Sequence, residues 1–244
     1  MAPVGVVRPA TAADVRFIES WLPKDYSVGT LAMNWHITKK VFEEGGVSVW
    51  EDAATGKPVA YCWGSLNSHD SVLEVQPEFR GTGVGRAMAE FMIENCLAKR
   101  DPLLEIHIAP DTAEEFWQRM GFEIHWDYDK CYGRRLLELP QPIVSGKRRS
   151  VTVTFLPDGA EWSANVNPLE LHQLVGTEVA GGNIVLEKTA AHFRLQNGDH
   201  LVIEVRVDGQ SRYRGRAKRE AAKAIGVVEC KSGFMISEII DDEL

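Results

Sequence analysis

The sequence predicts an α/β domain followed by a small β-rich α+β domain, and three observations predict it. Within residues 1–140, short apolar runs alternate with stretches of helical period, the pattern of strands interleaved with helices. At the centre of that half, Ser71 to Val75 reads as a strand that stops at Pro77. Glycines follow at Gly81, Gly83 and Gly85, and Ala87, Met88, Phe91, Met92 and Cys96 then recur at three- and four-residue steps. In residues 151–244, short alternating runs are separated by Asn-Gly-Asp and Asp-Gly turns. The stretch between, with Pro140, Pro142, Gly146 and Lys147-Arg148-Arg149, reads as a linker. The expected organisation is a first domain at 1–140, a linker at 141–150 and an accessory domain of unassigned role at 151–244.

Each element of the first half has a local cause. Val4 to Val7 forms a short strand. Thr11 caps the next helix, with Asp14 at its third position as a capping-box variant and Val15, Ile18 and Leu22 as its apolar stripe. A second helix spans about Leu31 to Phe42 and ends at Gly45-Gly46. Val47 to Trp50 and Pro58 to Trp63 flank a polar, glycine-containing turn, which makes a hairpin. After the glycine turn a long helix runs to about Arg100, where Asp101-Pro102 stops it. Leu103 to Ala109 is a strand with Leu104, Ile106 and Ile108 on one face and Glu105 and His107 on the other. Asp111 caps a further helix with Glu114 three residues on, and that helix ends at Gly121-Phe122. Glu123 to Tyr128 and Cys131 to Leu139 close the half as a hairpin turning at Asp129-Lys130. In the second half, strands are expected at Val151–Phe155, Asn183–Glu187, His200–Val207, Ser211–Arg214 and Phe234–Ile240, with a helix over Ala217–Ile225.

Composition narrows the class. Hydrophobic content of 44% and charged content of 25% are those of a water-soluble globular chain. The four cysteines, at 62, 96, 131 and 230, form no Cys-x-x-Cys pair, which argues against a metal site and a disulfide framework and fits a reducing compartment. No apolar run is long enough for a membrane span, and Arg16 and Glu19 interrupt the first apolar stretch, so a cytoplasmic protein is expected. The net charge of −8 disfavours general nucleic-acid binding and suits a cationic substrate. Residues 1–145 hold 14 Lys+Arg against 21 Asp+Glu, and residues 146–244 hold 13 against 14. The run Arg212-Tyr-Arg-Gly-Arg-Ala-Lys-Arg219, with Arg206 and Lys223, therefore sits in a nearly neutral half and reads as a solvated face before it reads as a nucleic-acid patch.

The glycine turn has a definite chemistry. Glycines let the backbone turn tightly and approach a ligand, and a helix N-terminus points free N–H groups at it, so the unit suits phosphate. It is not a P-loop, because no Gly-Lys-Ser/Thr follows, and its third glycine comes one residue too early for a dinucleotide fingerprint. The spacing Arg80-x-x-Gly83-x-Gly85 resembles the coenzyme A pyrophosphate loop of the GNAT N-acetyltransferase superfamily. The opening Val7-Arg-Pro-Ala-Thr-Ala-Ala-Asp14 and the string Ala113 to Phe122 ending in Gly-Phe resemble the same family, so the resemblance covers about residues 4–139 in order. No family resemblance extends into residues 151–244.

That resemblance implies a mixed, centrally splayed sheet with helices on both faces, and an acetyl-CoA-dependent transfer of an acetyl group to a primary amine by direct attack. It implies that Val75, Arg80, Gly81, Thr82, Gly83, Val84, Gly85 and Arg86 hold coenzyme A, with Asp111 and Trp117 at two further contact positions. Two departures stand out. Trp117 occupies the place where the family commonly has a tyrosine that protonates the leaving thiolate, and indole has no useful acidity. Pro110 and Asp111 stand where an asparagine is often found. Tyr128 and Tyr132 are the alternative acids. The base candidates are Glu74, Glu105 and His107, of which the imidazole ordinarily titrates at about 6.5. Each also has a plain structural reading, as a core histidine or as a carboxylate that attracts a cation. The implied partners are acetyl-CoA and a cationic amine on a small molecule, peptide or protein lysine, with a homodimer left open and no membrane. The alternative reading is a coenzyme A-binding module of weak activity whose C-terminal domain recruits a protein or nucleic acid. In either case the second half is expected to carry no catalytic residue.

Overall fold

A computed structural model describes residues 3–22, 34–67, 70–163, 166–194 and 201–240. The chain divides into two compact units, one of residues 1–99 with 105–134 and one of residues 100–104 with 135–244.

Over residues 5–136 the order is β1 (Gly5–Pro9), α1 (Ala12–Trp21), α2 (Trp35–Glu43), β2 (Ser48–Asp52), β3 (Pro58–Trp63), β4 (Val72–Val75), α3 (Val84–Ala98), β5 (Leu103–Ile108), α4 (Glu114–Arg119), β6 (Glu123–Asp127) and β7 (Lys130–Leu136). Strands β1-β2-β3-β4 form one antiparallel sheet, and β5-β7-β6 form a second. β4 and β5 therefore end different sheets, which leaves β4 at an edge. Helix α1 starts as the sequence requires. The Thr11 side chain accepts from the Asp14 N–H, and Asp14 bonds back to the Thr11 N–H (2.7 Å). Asp14 is also gripped by Arg8, whose guanidinium donates to it at 2.6 and 3.1 Å and to Glu51 at 2.6 Å. The Arg8 pairing, with the Thr11 bonds, holds the Asp14 carboxyl down at about 2 despite its burial. Replacing Asp14 with Ala removes the carboxylate half of the capping box and leaves a half-buried guanidinium short of a partner. The expected cost is about 2 kcal/mol, read as a lower denaturant midpoint with unchanged slope.

Helices α1 and α2 cover one face of the first sheet, where Val15, Ile18, Leu22, Trp35, Val47, Val49 and Tyr61 make one core. Helix α3 buries Val84, Met88, Ala89, Met92, Ile93 and Cys96. The predicted start of α2 at Leu31 lies outside the described residues, and its end and the hairpin β2–β3 are as expected. Two local expectations are corrected. Asp111 is not the cap of α4: it lies inside a 3₁₀ turn over Asp111–Ala113, with Pro110 before it and no side-chain cap. The last hairpin turns at Tyr128-Asp129, because Asp127 pairs with Lys130, and Tyr128 takes the left-handed backbone (φ +53°) that such a tight turn demands.

In the second unit β8 (Lys147–Leu156), β9 (Glu170–Glu178), β10 (Ile184–Phe193), β11 (Val202–Val207), β12 (Gln210–Arg216), α5 (Glu220–Ala224), β13 (Val228–Cys230) and β14 (Gly233–Ile239) build one sheet in the order β12-β11-β8-β9-β10-β14-β13. Its core runs through Val151, Val153, Phe155, Leu186, Ile203, Val205, Phe234 and Ile236. The linker expected at 141–150 is shorter than that span. Lys147 to Ser150 already pair with β9 (Lys147↔Glu178 to Ser150↔Val175), and Gln141 donates to Thr189 (3.0 Å). His200 falls outside the described residues. Strand β9 was not legible as a strand, because polar residues stand on its core face. Glu170 there bridges His172 (3.1 Å) and His192 (2.9 Å), and both rings pack on the buried Phe155. The two imidazoles, His172 first, hold the Glu170 carboxyl down at about 2. Among the described residues no helix is long and apolar enough to cross a membrane.

Candidate active site

Pro77–Phe79 forms one 3₁₀ turn directly after β4, and the glycines then swing the chain into α3. Gly81 (φ +76°) and Gly83 (φ +98°) both adopt the left-handed backbone that side chains rarely tolerate. Thr82 closes the bend by donating its hydroxyl to the Phe79 carbonyl (2.6 Å). Helix α3 opens at Gly83 with no side-chain cap and no acidic residue in its first turn. Its ladder begins with Ala87 donating to Gly83 (3.1 Å), so the N–H groups of Val84, Gly85 and Arg86 have no helical acceptor. Arg86 is exposed and only loosely placed against Glu90 (4.0 Å). This donor set fits a pyrophosphate: unspent N–H groups at the positive end of a helix, beside a cation, with no acidic residue in that first turn. A Cβ built on Gly85 would sit 3.5 Å from both Val75 and Phe116, so the turn lies against the end of β4 and against α4.

Next to the turn, Glu74 lies on β4 directly opposite Tyr61 on β3, and Val72 lies opposite Trp63. Directly opposed residues share a face, so Glu74 points to the face that carries Tyr61, Trp63, Trp35 and Trp21. Tyr61 is fully buried, with its ring 5.7 Å from Trp35 and 6.3 Å from Trp21. Its hydroxyl lies beside Thr38 but makes no well-aligned hydrogen bond, and Thr38 itself accepts from Trp63 Nε1 (3.0 Å). Burial, then the nearby Glu74 charge, push the Tyr61 phenol up. Burial likewise pushes the Glu74 carboxyl up, against a downward pull from Arg80. Arg80 folds back from the turn and donates to Glu74 Oε1 (2.7 Å) and to the Val75 carbonyl (3.1 Å). The sequence had offered Glu74 and Arg80 for separate roles; the structure places them in contact.

The other candidates fall elsewhere. Glu105 is committed to Arg134 (2.6 Å) across β5 and β7. His107 is on the exposed face of β5, with Tyr132 between it and His125 at 5.4 Å from each. Tyr128 is 98% exposed at the hairpin tip. Trp117 is buried between Phe116 and Phe122, both edge-on at 5.0 and 5.2 Å, and packs as a core residue. Asp111 is exposed in its 3₁₀ turn, away from the first turn of α3 in sequence and held by no bond to it. The aromatic wall of Tyr61 and Trp63 was missed. The signal was present as aromatics two apart on β3, but only pairing with β4 shows that they share the face of Glu74.

The four cysteines are buried and free. Burial pushes the Cys62 and Cys230 thiols up to about 12 and raises Cys131 as well, so none of these three is a ready thiolate nucleophile. The basic run of the second unit is largely neutralised in place. Arg206 and Arg214 meet Glu204, Arg216 meets Glu161 and Asp158, and Lys218 meets Glu229.

Comparison with known proteins gives the following. Residues 43–124 match the family model for an acetyltransferase (GNAT) domain, a span that runs from the end of α2 into β6 and contains the glycine turn and Glu74. Among solved structures, a phosphinothricin acetyltransferase of Sinorhizobium meliloti in complex with AcCoA is 19% identical, with a TM-score of 0.42 over 55% of this chain and 88% of that one. A ribosomal-protein-alanine N-acetyltransferase of Brucella melitensis is 19% identical, with a TM-score of 0.40 over 54% of this chain and 99% of that one. A GNAT family N-acetyltransferase of Escherichia coli in complex with CoA is 15% identical, with a TM-score of 0.41 over 56% and 83%. A comparison with curated protein sequences finds no match.

Proposed function

From the match of residues 43–124 to an acetyltransferase (GNAT) domain, we propose that the first unit is an acetyl-CoA-dependent N-acetyltransferase that acts on a primary amine, with Glu74 as its general base. The observation that carries the reading is the uncapped start of α3 directly after a glycine turn, at the end of an edge strand. The N–H groups of Val84, Gly85 and Arg86 and the Arg86 guanidinium would hold the pyrophosphate, and the open edge of β4 offers backbone groups to an amide-bearing arm. When bound, acetyl-CoA supplies the thioester carbonyl that the amine attacks.

Glu74 is chosen among the base candidates on geometry. Glu105 and His107 lie on β5 in the second sheet, Glu105 paired with Arg134 and His107 on the exposed face, whereas Glu74 stands on the strand that leads into the glycine turn. Glu74 is mostly shielded, borders the glycine turn, and has its carboxyl pushed up by burial, which favours a carboxylate that takes a proton from an ammonium. One proton leaves the ammonium for Glu74, nitrogen bonds to the acyl carbon, the carbon–sulfur bond breaks with its electron pair going to sulfur, and the second proton lost by the nitrogen ends on the departing thiolate. The departing thiol ordinarily ionises at about 8.5, so it is a fair leaving group without a dedicated acid. The absence of a ready cysteine nucleophile among Cys62, Cys131 and Cys230 favours direct transfer over an acyl-cysteine route. The net charge of −8 suits a cationic acceptor.

The test is calorimetry with acetyl-CoA followed by thiol release against a panel of primary amines. Binding with amine-dependent release is the expected result. No binding at millimolar acetyl-CoA overturns the proposal, and binding without release for any amine favours the carrier reading instead.

A further inference from the structure

The contact between Arg80 and Glu74 has a consequence for the order of events at this site. Arg80 has two possible sets of partners. In the structure described here its Nη2 donates to Glu74 Oε1 at 2.7 Å and its Nε donates to the Val75 carbonyl at 3.1 Å. Both acceptors belong to the end of β4. The side chain is anchored at the start of the glycine turn, only three residues before Gly83, and it is 60% exposed while Glu74 is 16% exposed. A long, solvated guanidinium can therefore change partners at little cost, whereas the shielded carboxylate cannot leave. An anion seated on the N–H groups of Val84 to Arg86 would compete for the same guanidinium, and a pyrophosphate diester, with one negative charge on each of its two phosphates, offers it two charges where Glu74 offers one.

We propose that Arg80 is a positioning residue that keeps Glu74 ion-paired in the free protein and releases it on turning to the pyrophosphate, so that the base becomes available only after the acyl donor is bound. This rests on the proposed function and deepens it. It assigns to Arg80 a role that an ordinary pyrophosphate contact does not have. The same movement uncovers the Val75 carbonyl, an acceptor on the β4 edge that an incoming amide can then use. The electrostatics run in the required direction. Burial already pushes the Glu74 carboxyl up against the pull of Arg80, so the departure of Arg80 leaves burial unopposed and moves the carboxyl further up, toward better basicity. The titratable groups that act on Glu74 are Arg80 from the turn and the Tyr61 phenol from β3; Thr38 and Trp63 on the same face are neutral. A base that is unavailable before the donor binds gives a fixed order: donor first, amine deprotonation second.

The experiment is a carbon-13 NMR pH titration of the Glu74 carboxyl, assigned with Glu74→Gln, in the intact chain with and without saturating CoA. The wild-type half-titration point is expected to rise on CoA loading by about one pH unit or more, the low end of what loss of an adjacent cation does to a carboxylate. In Arg80→Gln the point should already be raised in the free protein, and CoA should add little. Arg80→Lys should behave between the two. An equal CoA-linked rise in Arg80→Gln would assign the effect to the ligand's own charge and overturn the proposal, as would an unchanged or lowered point in the wild type. Calorimetry on the same samples separates the two ideas. No CoA binding defeats the functional reading itself, while CoA binding with Glu74 still paired defeats only the release.

Discussion

Replacing Gly85 by aspartate is expected to weaken acetyl-CoA binding at least about 100-fold, equivalent to about 2.7 kcal/mol. Gly85 has an ordinary backbone conformation, and a Cβ there meets Val75 and Phe116 at 3.5 Å, which is normal contact distance. Gly85→Ala should therefore be tolerated and serves as the steric control. The aspartate adds a negative charge in the first turn of α3, which has no acidic residue of its own. A charge at that position helps a helix, so lost binding would not come from an unwound α3. It would repel a pyrophosphate held by the same N–H groups. Titration calorimetry on both variants, with melting curves to confirm folding, reads the result. Wild-type affinity in Gly85→Asp would show that the turn does not hold the pyrophosphate.

The second large effect is expected for Glu74→Gln, with amine-dependent thiol release falling about 100-fold or more and acetyl-CoA affinity retained. General-base catalysis contributes about 10²–10⁴ in rate, and glutamine keeps the size of the side chain and a carbonyl for Arg80 while removing the basic oxygen. The loss should shrink as pH rises, because the amine then arrives already deprotonated and needs no base. A His107→Ala variant, altered on the exposed face of β5, should retain most of its turnover. If His107→Ala loses activity and Glu74→Gln does not, the base has been assigned to the wrong strand. Rates measured from pH 6 to 10 on the two variants separate these outcomes.

The sequence alone carried most of the first unit, because its signals there are local. A capping box is written in Thr11 and Asp14, and the hairpin of β2 and β3 in a glycine-containing turn. The turn before α3 is written in glycines that permit the left-handed backbone at positions 81 and 83. These depend on neighbours a few residues apart, so they can be read along the chain. The second unit was read less fully. Strand β9 shows no apolar alternation, because Glu170 and His172 stand on its core face, where Glu170 pairs with His172 and with His192, 20 residues beyond His172. The linker expectation failed for a similar reason: Lys147 to Ser150 look solvated in sequence but pair with β9 across a strand ladder.

At the candidate site, the sequence determined the kinds of residue present, and only the tertiary structure decided which of them stand together. Three base candidates looked alike on two strands until Arg134 was found on Glu105 and Arg80 on Glu74. Tyr128 and Trp117 were candidates by position; one stands in solvent and the other in the core. Tyr61 and Trp63 became part of the site only through pairing with β4. The physical reason is the same in each case. Backbone conformation follows from local sterics and hydrogen bonding, whereas the ionisation and reach of a side chain depend on charges and burial supplied by residues distant in sequence.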